Sequence, residues 1–166
     1  MIYTPLTKKA LRLSFEAHKD QMDQGGMPYV FHPFHLAEQM PDEMTTVTAL
    51  LHDTVEDSWV TPEYLRAEGY PEEVIEAIGL LTHPEGVPYM DYVRKLRSNP
   101  IARTVKLADL AHNSDLTRLD HVDENARRRA RKYQKARDLL CFPESEPESQ
   151  TSGPQKKTVD SNGLVC

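Results

Sequence analysis

The residue types that could ligate a metal stand in three separate places along this chain, and a fold that uses them has to bring all three together. His32 lies in PYVFHP, the adjacent pair His52 and Asp53 in ALLHDTVED, and Asp109 in VKLADLAHN. Two imidazoles and two carboxylates make a mixed nitrogen and oxygen donor set. Such a set suits a divalent first-row cation and leaves coordination positions open for water and a phosphate oxygen. Glu56 and Asp57 follow the pair closely, so one short stretch offers four titratable groups. Burying that many acids with no cation would cost several kcal/mol per uncompensated charge.

The rest of the chain reads as helices joined by short turns that Pro and Gly mark. Thr4-Pro5 is a cap and first helical position, and the helix it opens is expected to reach about Asp23, with Leu6, Ala10, Leu13 and Ala17 as its apolar stripe. Gly25, Gly26 and Pro28 break it. A second helix is expected from His32-Pro33 to Met40 and a third from Met44 to Asp57, the third apolar nearly all round at VTALLH and therefore central. Shorter helices follow from Thr61-Pro62 to Gly69, from Pro71 to Leu81 and from Tyr89 to Arg97, then longer ones from Ile101 to Asp115 and from Asp123 to Leu140. No strand pattern is convincing. The fold class is all-α, one domain over residues 1–142, and the Pro-, Ser- and Glu-rich stretch 143–166 has too few apolar residues to pack, which predicts a disordered tail.

Helical geometry constrains how the site can be built. Neighbours on a helix point about 100° apart, so His52 and Asp53 serve one cation only from near a helix end. His52 and Glu56 share a face, as do Asp53 and Asp57, and Asp109 and Asn113. On this reading His32, His52, Asp53 and Asp109 hold the metal, which lowers the pKa of water toward neutrality. Glu56 and Asp57 orient that water, take its proton or protonate a leaving oxygen, titrating as a pair. Asn113 offers an amide to a substrate hydroxyl or phosphate. His112, beside Asp109 and Asn113, is a candidate to hold a ligand carboxylate in place. Some pieces also have a plainer reading: Glu56-Asp57 as a solvated helix end and His32 as a cap. Asp109 is the hardest to set aside, because an acid among Leu107, Ala108, Leu110 and Ala111 needs a partner.

Composition narrows the partners. A net charge of −6 argues against general affinity for nucleic acid, and the basic run from Arg127 to Arg137 lacks interleaved aromatics apart from Tyr133, as a solvated helix face would. No apolar run reaches membrane-spanning length. Cys141 and Cys166 imply no disulfide framework. The expected location is the cytoplasm, and a homo-oligomer is compatible with everything read so far.

HPxxxA around His32, LLHDTVED and VKLADLAHN, in this order, resemble the HD-domain alarmone hydrolases, the hydrolase half of the RelA/SpoT family and its small stand-alone, Mesh1-like members. The resemblance covers roughly residues 5–140, and the Glu-Asp after the His-Asp pair is its most specific piece. It implies an all-helical HD-domain bundle with its metal site between central helices, Mn2+ as cofactor, and removal of pyrophosphate from the 3′ position of (p)ppGpp or a related nucleotide. His32, His52, Asp53 and Asp109 match the family's metal ligands, Glu56 and Asp57 its catalytic acids, and Asn113 a substrate contact. The departures fall on substrate recognition. Asp23 stands where the family has an Arg that stacks on guanine, leaving Lys19 as the nearest cation to replace it, and Leu110 stands where a cation is common. Two other functions stay open: another HD phosphohydrolase, acting as a nucleotide phosphomonoesterase or an NADPH phosphatase, and a partner that neutralises an alarmone-making toxin by contact.

Overall fold

A computed structural model describes residues 1–141. The tail expected over 143–166 lies outside the described residues. Nine helices are present among the described residues: α1 Pro5–His18, α2 Phe31–Glu38, α3 Glu43–Leu51, α4 Thr54–Asp57, α5 Pro62–Ala67, α6 Glu72–Leu81, α7 Tyr89–Lys95, α8 Pro100–Ser114 and α9 Glu124–Cys141. Single 3-10 turns, Leu96–Ser98 and Leu116–Arg118, follow α7 and α8. The only strand-like pairing among the described residues is one bridge between Met22 and Pro28.

Helix starts follow local chemistry. Thr4 and Thr7 form a reciprocal capping box, Thr7 N donating to Thr4 Oγ1 at 3.1 Å and Thr4 N to Thr7 Oγ1 at 2.7 Å. Asp42 caps α3 through Thr45 N at 2.8 Å, and Asn99 caps α8 through Ala102 N at 2.9 Å, with Pro100 next. Between these ends, α3 is the axis of the bundle. Every residue from Thr45 to Leu51 is buried, and α1, α2, α6 and α8 pack around it. Leu36, Val47, Leu50, Ile78, Val105 and Leu110 meet in the core. At about 25 cal/mol per Å2 of apolar surface removed from water, such side chains supply most of what holds the helices together.

Two helix ends differ from the sequence reading. α1 stops at His18 rather than Asp23, because Gln21 N turns back to the His18 carbonyl and the loop closes on Asp23, whose Oδ1 accepts from Gly25 N and Met27 N. The helix expected from Met44 to Asp57 is broken at His52-Asp53. Asp53 adopts φ −101°, ψ −3°, the sparsely used bridge region, and Thr54 Oγ1 donates to the Leu51 carbonyl at 2.8 Å, satisfying the end of α3. That break bears directly on the site.

Candidate metal centre

The centre draws on three neighbouring helices. His32 sits in the first turn of α2, His52 and Asp53 in the break between α3 and α4, and Asp109 midway along α8. The break turns Asp53 back toward His52, which an unbroken helix would not do. One ligand atom each from His32, His52 and Asp109 lies within 4.8 Å of the others, and all three residues are buried. Asp53 Oδ2 is 2.8 Å from His52 Nε2 and 3.9 Å from His32 Nε2, and Asp109 Oδ1 is 3.3 Å from His32 Nε2.

The donor set fits a cation. His52 Nδ1 lies 2.9 Å from the Ala49 carbonyl, so it is the protonated nitrogen and Nε2 is left to face the acids. Although Asp53 and Asp109 are close, neither His52 Nε2 nor His32 Nε2 has an aligned hydrogen-bond partner. Two buried imidazole nitrogens aimed without a partner at two carboxylates are what a metal would satisfy. By themselves the side chains hold a proton here: burial pushes His52 down, but the Asp53 carboxylate outweighs it and raises its pKa to about 9. Asp53, raised by burial and lowered more strongly by His52, comes to about 2. Burial also raises Asp109, and the Lys106 ammonium, 2.8 Å from its Oδ2, overrides this and holds the carboxyl well below the usual range.

Around this core lies a ring of supports. Tyr29 OH donates to Asp53 Oδ2, and burial together with that carboxylate keeps the phenol protonated. His112 Nδ1 lies 2.7 Å from His32 Nδ1. Burial and the neighbouring His32 push His112 down to about 4, so it is a neutral partner that orients the His32 ring. His35 is exposed and its ring tilts against His112, with ring centres 4.5 Å apart. Asn113 Nδ2 donates to Asp109 Oδ1 at 2.5 Å.

The two candidate acids part company. Glu56 lines a cavity of about 190 Å3 together with Asp53, Asp109, Asn113, Tyr133 and Lys106, and its Oε2 accepts from His83 N at 2.9 Å. Asp57 lies toward α1, where Gln21 Nε2 donates to its carbonyl at 2.7 Å. Burial, then Asp53 and Glu56, push the Asp57 carboxyl up. A second cavity, of about 330 Å3, adjoins on the other side and shares Asn113 and Tyr133. Arg118, Arg129, Tyr29, His32 and Leu116 are among its walls.

Lys19 is not brought to the site. It pairs with Glu16 at 3.1 Å and lines an apolar surface beside Phe15 and Phe34, on neither cavity. The cation beside the cluster is Lys106. Its spacing to Asp109, three residues along a helix, was the available signal, since a buried acid in apolar company calls for such a partner. Arg129 and Tyr133 were hidden inside the basic run of α9, of which only the face carrying Ala126, Arg129 and Tyr133 reaches the larger cavity. Trp59 packs edge-on against Tyr64 and lines neither cavity.

No family model matches the chain. Its backbone superposes on a metazoan protein described as an ortholog of SpoT that hydrolyzes ppGpp, with a TM-score of 0.67 over 84% of this chain and 88% of that one, at 22% identity. In sequence it is 31% identical over 144 residues to a guanosine-3′,5′-bis(diphosphate) 3′-pyrophosphohydrolase of Borreliella burgdorferi, and 32% identical over 135 residues to the bifunctional (p)ppGpp synthase/hydrolase RelA of Mycobacterium tuberculosis. The chain shares the all-helical HD-domain fold, and most of it matches one part of RelA/SpoT proteins. A GTP pyrophosphokinase of Myxococcus xanthus is 30% identical over 154 residues, 82% of this chain. The chain spans 18–20% of the length of these RelA/SpoT relatives. None of its described helices is long and apolar enough to cross a membrane.

Proposed function

We propose that this chain is a divalent-metal-dependent nucleotide hydrolase that removes pyrophosphate from the 3′ position of (p)ppGpp or a closely related alarmone, with Mn2+ as the working metal, in the cytoplasm. The observation that carries the reading is the meeting of two partnerless buried Nε2 atoms, on His32 and His52, with the Asp53 and Asp109 carboxylates. These four residues would hold the cation. When bound there, it supplies Lewis acidity, lowering the pKa of water and offsetting phosphate charge. The names and activities of the relatives point to the same chemistry.

The chain's own residues take the other roles. Glu56, steadied by the His83 N–H, faces the smaller cavity as a general base or acid. Asp57, whose carboxyl is pushed up by burial and then by Asp53 and Glu56, is the second acid of the pair. Asn113, at the junction of the two cavities, offers an amide to the scissile phosphate or the ribose. Arg129 has no ion pair among the described residues and lines the larger cavity with Tyr133, suited to the phosphates at the other end of a nucleotide.

A second reading, another HD phosphohydrolase, is favoured by one observation: Asp23 lines the larger cavity, where a cation would bind more charge. One experiment separates the two. The purified chain is incubated with Mn2+ and a panel of (p)ppGpp, (p)ppApp, nucleoside monophosphates and NADPH, and pyrophosphate is scored against orthophosphate. Pyrophosphate release from the alarmones, lost on His52→Ala, is the expected result. Orthophosphate alone would move the assignment to the second reading, and intact substrates throughout would overturn both.

A further inference from the structure

The larger cavity has one wall to which the proposed reaction gives no task, the pair of Asp23 and Arg118. Arg118 Nη2 lies 2.6 Å from Asp23 Oδ2, and its Nη1 donates to the His112 carbonyl at 3.1 Å. A guanidinium anchored at both terminal nitrogens has its plane set, leaving its flat faces for contact. Asp23 is itself committed, since its Oδ1 already accepts from Gly25 N at 2.8 Å and Met27 N at 2.9 Å. The loop lies directly on the Arg118 backbone: a Cβ on Gly25 would come within 2.8 Å of the Arg118 carbonyl oxygen. The cavity of about 330 Å3 that this pair borders is of small-molecule size. Met22, Leu116 and Leu119 give it apolar walls next to Arg118, and Met22 is left 66% exposed. The Asp23 charge offsets that of Arg118, so the pair adds little net attraction for phosphate.

We propose that Arg118, clamped edge-on by Asp23 and the His112 carbonyl, is a stacking platform for the purine ring of the nucleotide, and that it reads the face of that ring rather than its hydrogen-bonding edge. Asp23 acts through Arg118 as a positioning residue. The inference rests on the hydrolase reading for the ligand being a nucleotide, and it deepens that reading by assigning the base to this wall. A platform of this kind tolerates different bases because every base has a π-face.

The test is calorimetric binding of ADP, GDP and inorganic pyrophosphate to the full chain loaded with Mn2+. The ratio of nucleotide to pyrophosphate affinity isolates the contribution of the ring. Arg118→Lys keeps a positive charge beside Asp23 and removes the planar face. It should lower that ratio by about twofold to thirtyfold, with pyrophosphate affinity unchanged. ADP and GDP should bind wild type within about threefold of each other. Should the lysine variant fail to fold, NMR of the wild type answers the question: ADP should shift the Arg118 side-chain protons upfield by its ring current, and pyrophosphate should not. An unchanged ratio in the lysine variant, no ring-current shift, or a tenfold preference for one purine would overturn the proposal. Because binding is read without turnover, ring-dependent affinity in a chain that hydrolyses nothing would uphold the platform while removing the hydrolase reading.

Discussion

Replacing Lys106 by Met tests whether the cluster is built to hold a cation. The methionine keeps the apolar stem of the lysine and removes only the ammonium. In the protein that ammonium is 2.8 Å from Asp109 Oδ2, with the two side chains 13% and 7% exposed. Breaking a buried pair of this kind costs roughly 3–5 kcal/mol. The loss has a ceiling, because Asp109 can take up a proton instead. From its ordinary value of 3.8, that escape costs about 4 kcal/mol at pH 7 and about 2 kcal/mol at pH 5.5. The metal-free variant should therefore lose up to about 4 kcal/mol at pH 7, on the order of 10 °C in Tm for a chain of this size, and the deficit should shrink as the pH falls. A divalent cation at His32, His52, Asp53 and Asp109 supplies the missing positive charge. With saturating Mn2+ the deficit should fall below about 1 kcal/mol, and the extra stabilisation should appear as a larger Tm rise per unit of added metal. Thermal unfolding at the two pH values, each with EDTA and with Mn2+, reads all of this. A deficit that is the same with and without metal, and the same at both pH values, would refute the electrostatic account and leave Lys106 as a packing residue.

Three other outcomes are expected. Asp53→Ala or His52→Ala should abolish calorimetric Mn2+ binding and hydrolysis together, whereas Glu56→Gln should keep the metal and lower kcat by about a hundredfold to ten-thousandfold. Tyr29→Phe, which removes the phenol that donates to Asp53, should weaken metal affinity by about tenfold to a hundredfold while far-UV circular dichroism stays unchanged. The two forms should also respond to pH in opposite directions. His52 has its pKa raised from 6.5 to about 9, so its contribution to metal-free stability is full below about pH 6.5 and is lost as the pH rises through about 9. Metal binding must displace that proton, so apparent Mn2+ affinity should rise with pH over the same window, and titrations at pH 6.5, 7.5 and 8.5 that gave a flat affinity would contradict the assignment of His52 as a ligand.

How much of this was legible in the sequence depends on whether the cause was local. Caps at Thr4, Asp42 and Asn99, with Pro5 and Pro100 behind two of them, are local signals, and they placed helix starts to within a residue or two. The apolar stripe Leu6, Ala10, Leu13 and Ala17 does face inward. The missed feature was the break at His52-Asp53. Nothing in ALLHDTVED stops a helix: the stretch contains neither Gly nor Pro, and the one side chain in it that satisfies the end of α3 is Thr54, on the Leu51 carbonyl. The cause lies elsewhere in the chain, in Tyr29 reaching Asp53 from the preceding loop and in Asp109 approaching from α8. The pairing of Arg118 with Asp23 was illegible for the same reason, since the two stand 95 residues apart. The sequence did contain the contradiction that the break resolves: adjacent residues that both have to face one cation cannot do so within a regular helix. Where local propensity and a proposed site disagree in this way, the backbone is the term that yields, and the residue in the bridge region marks where it did so.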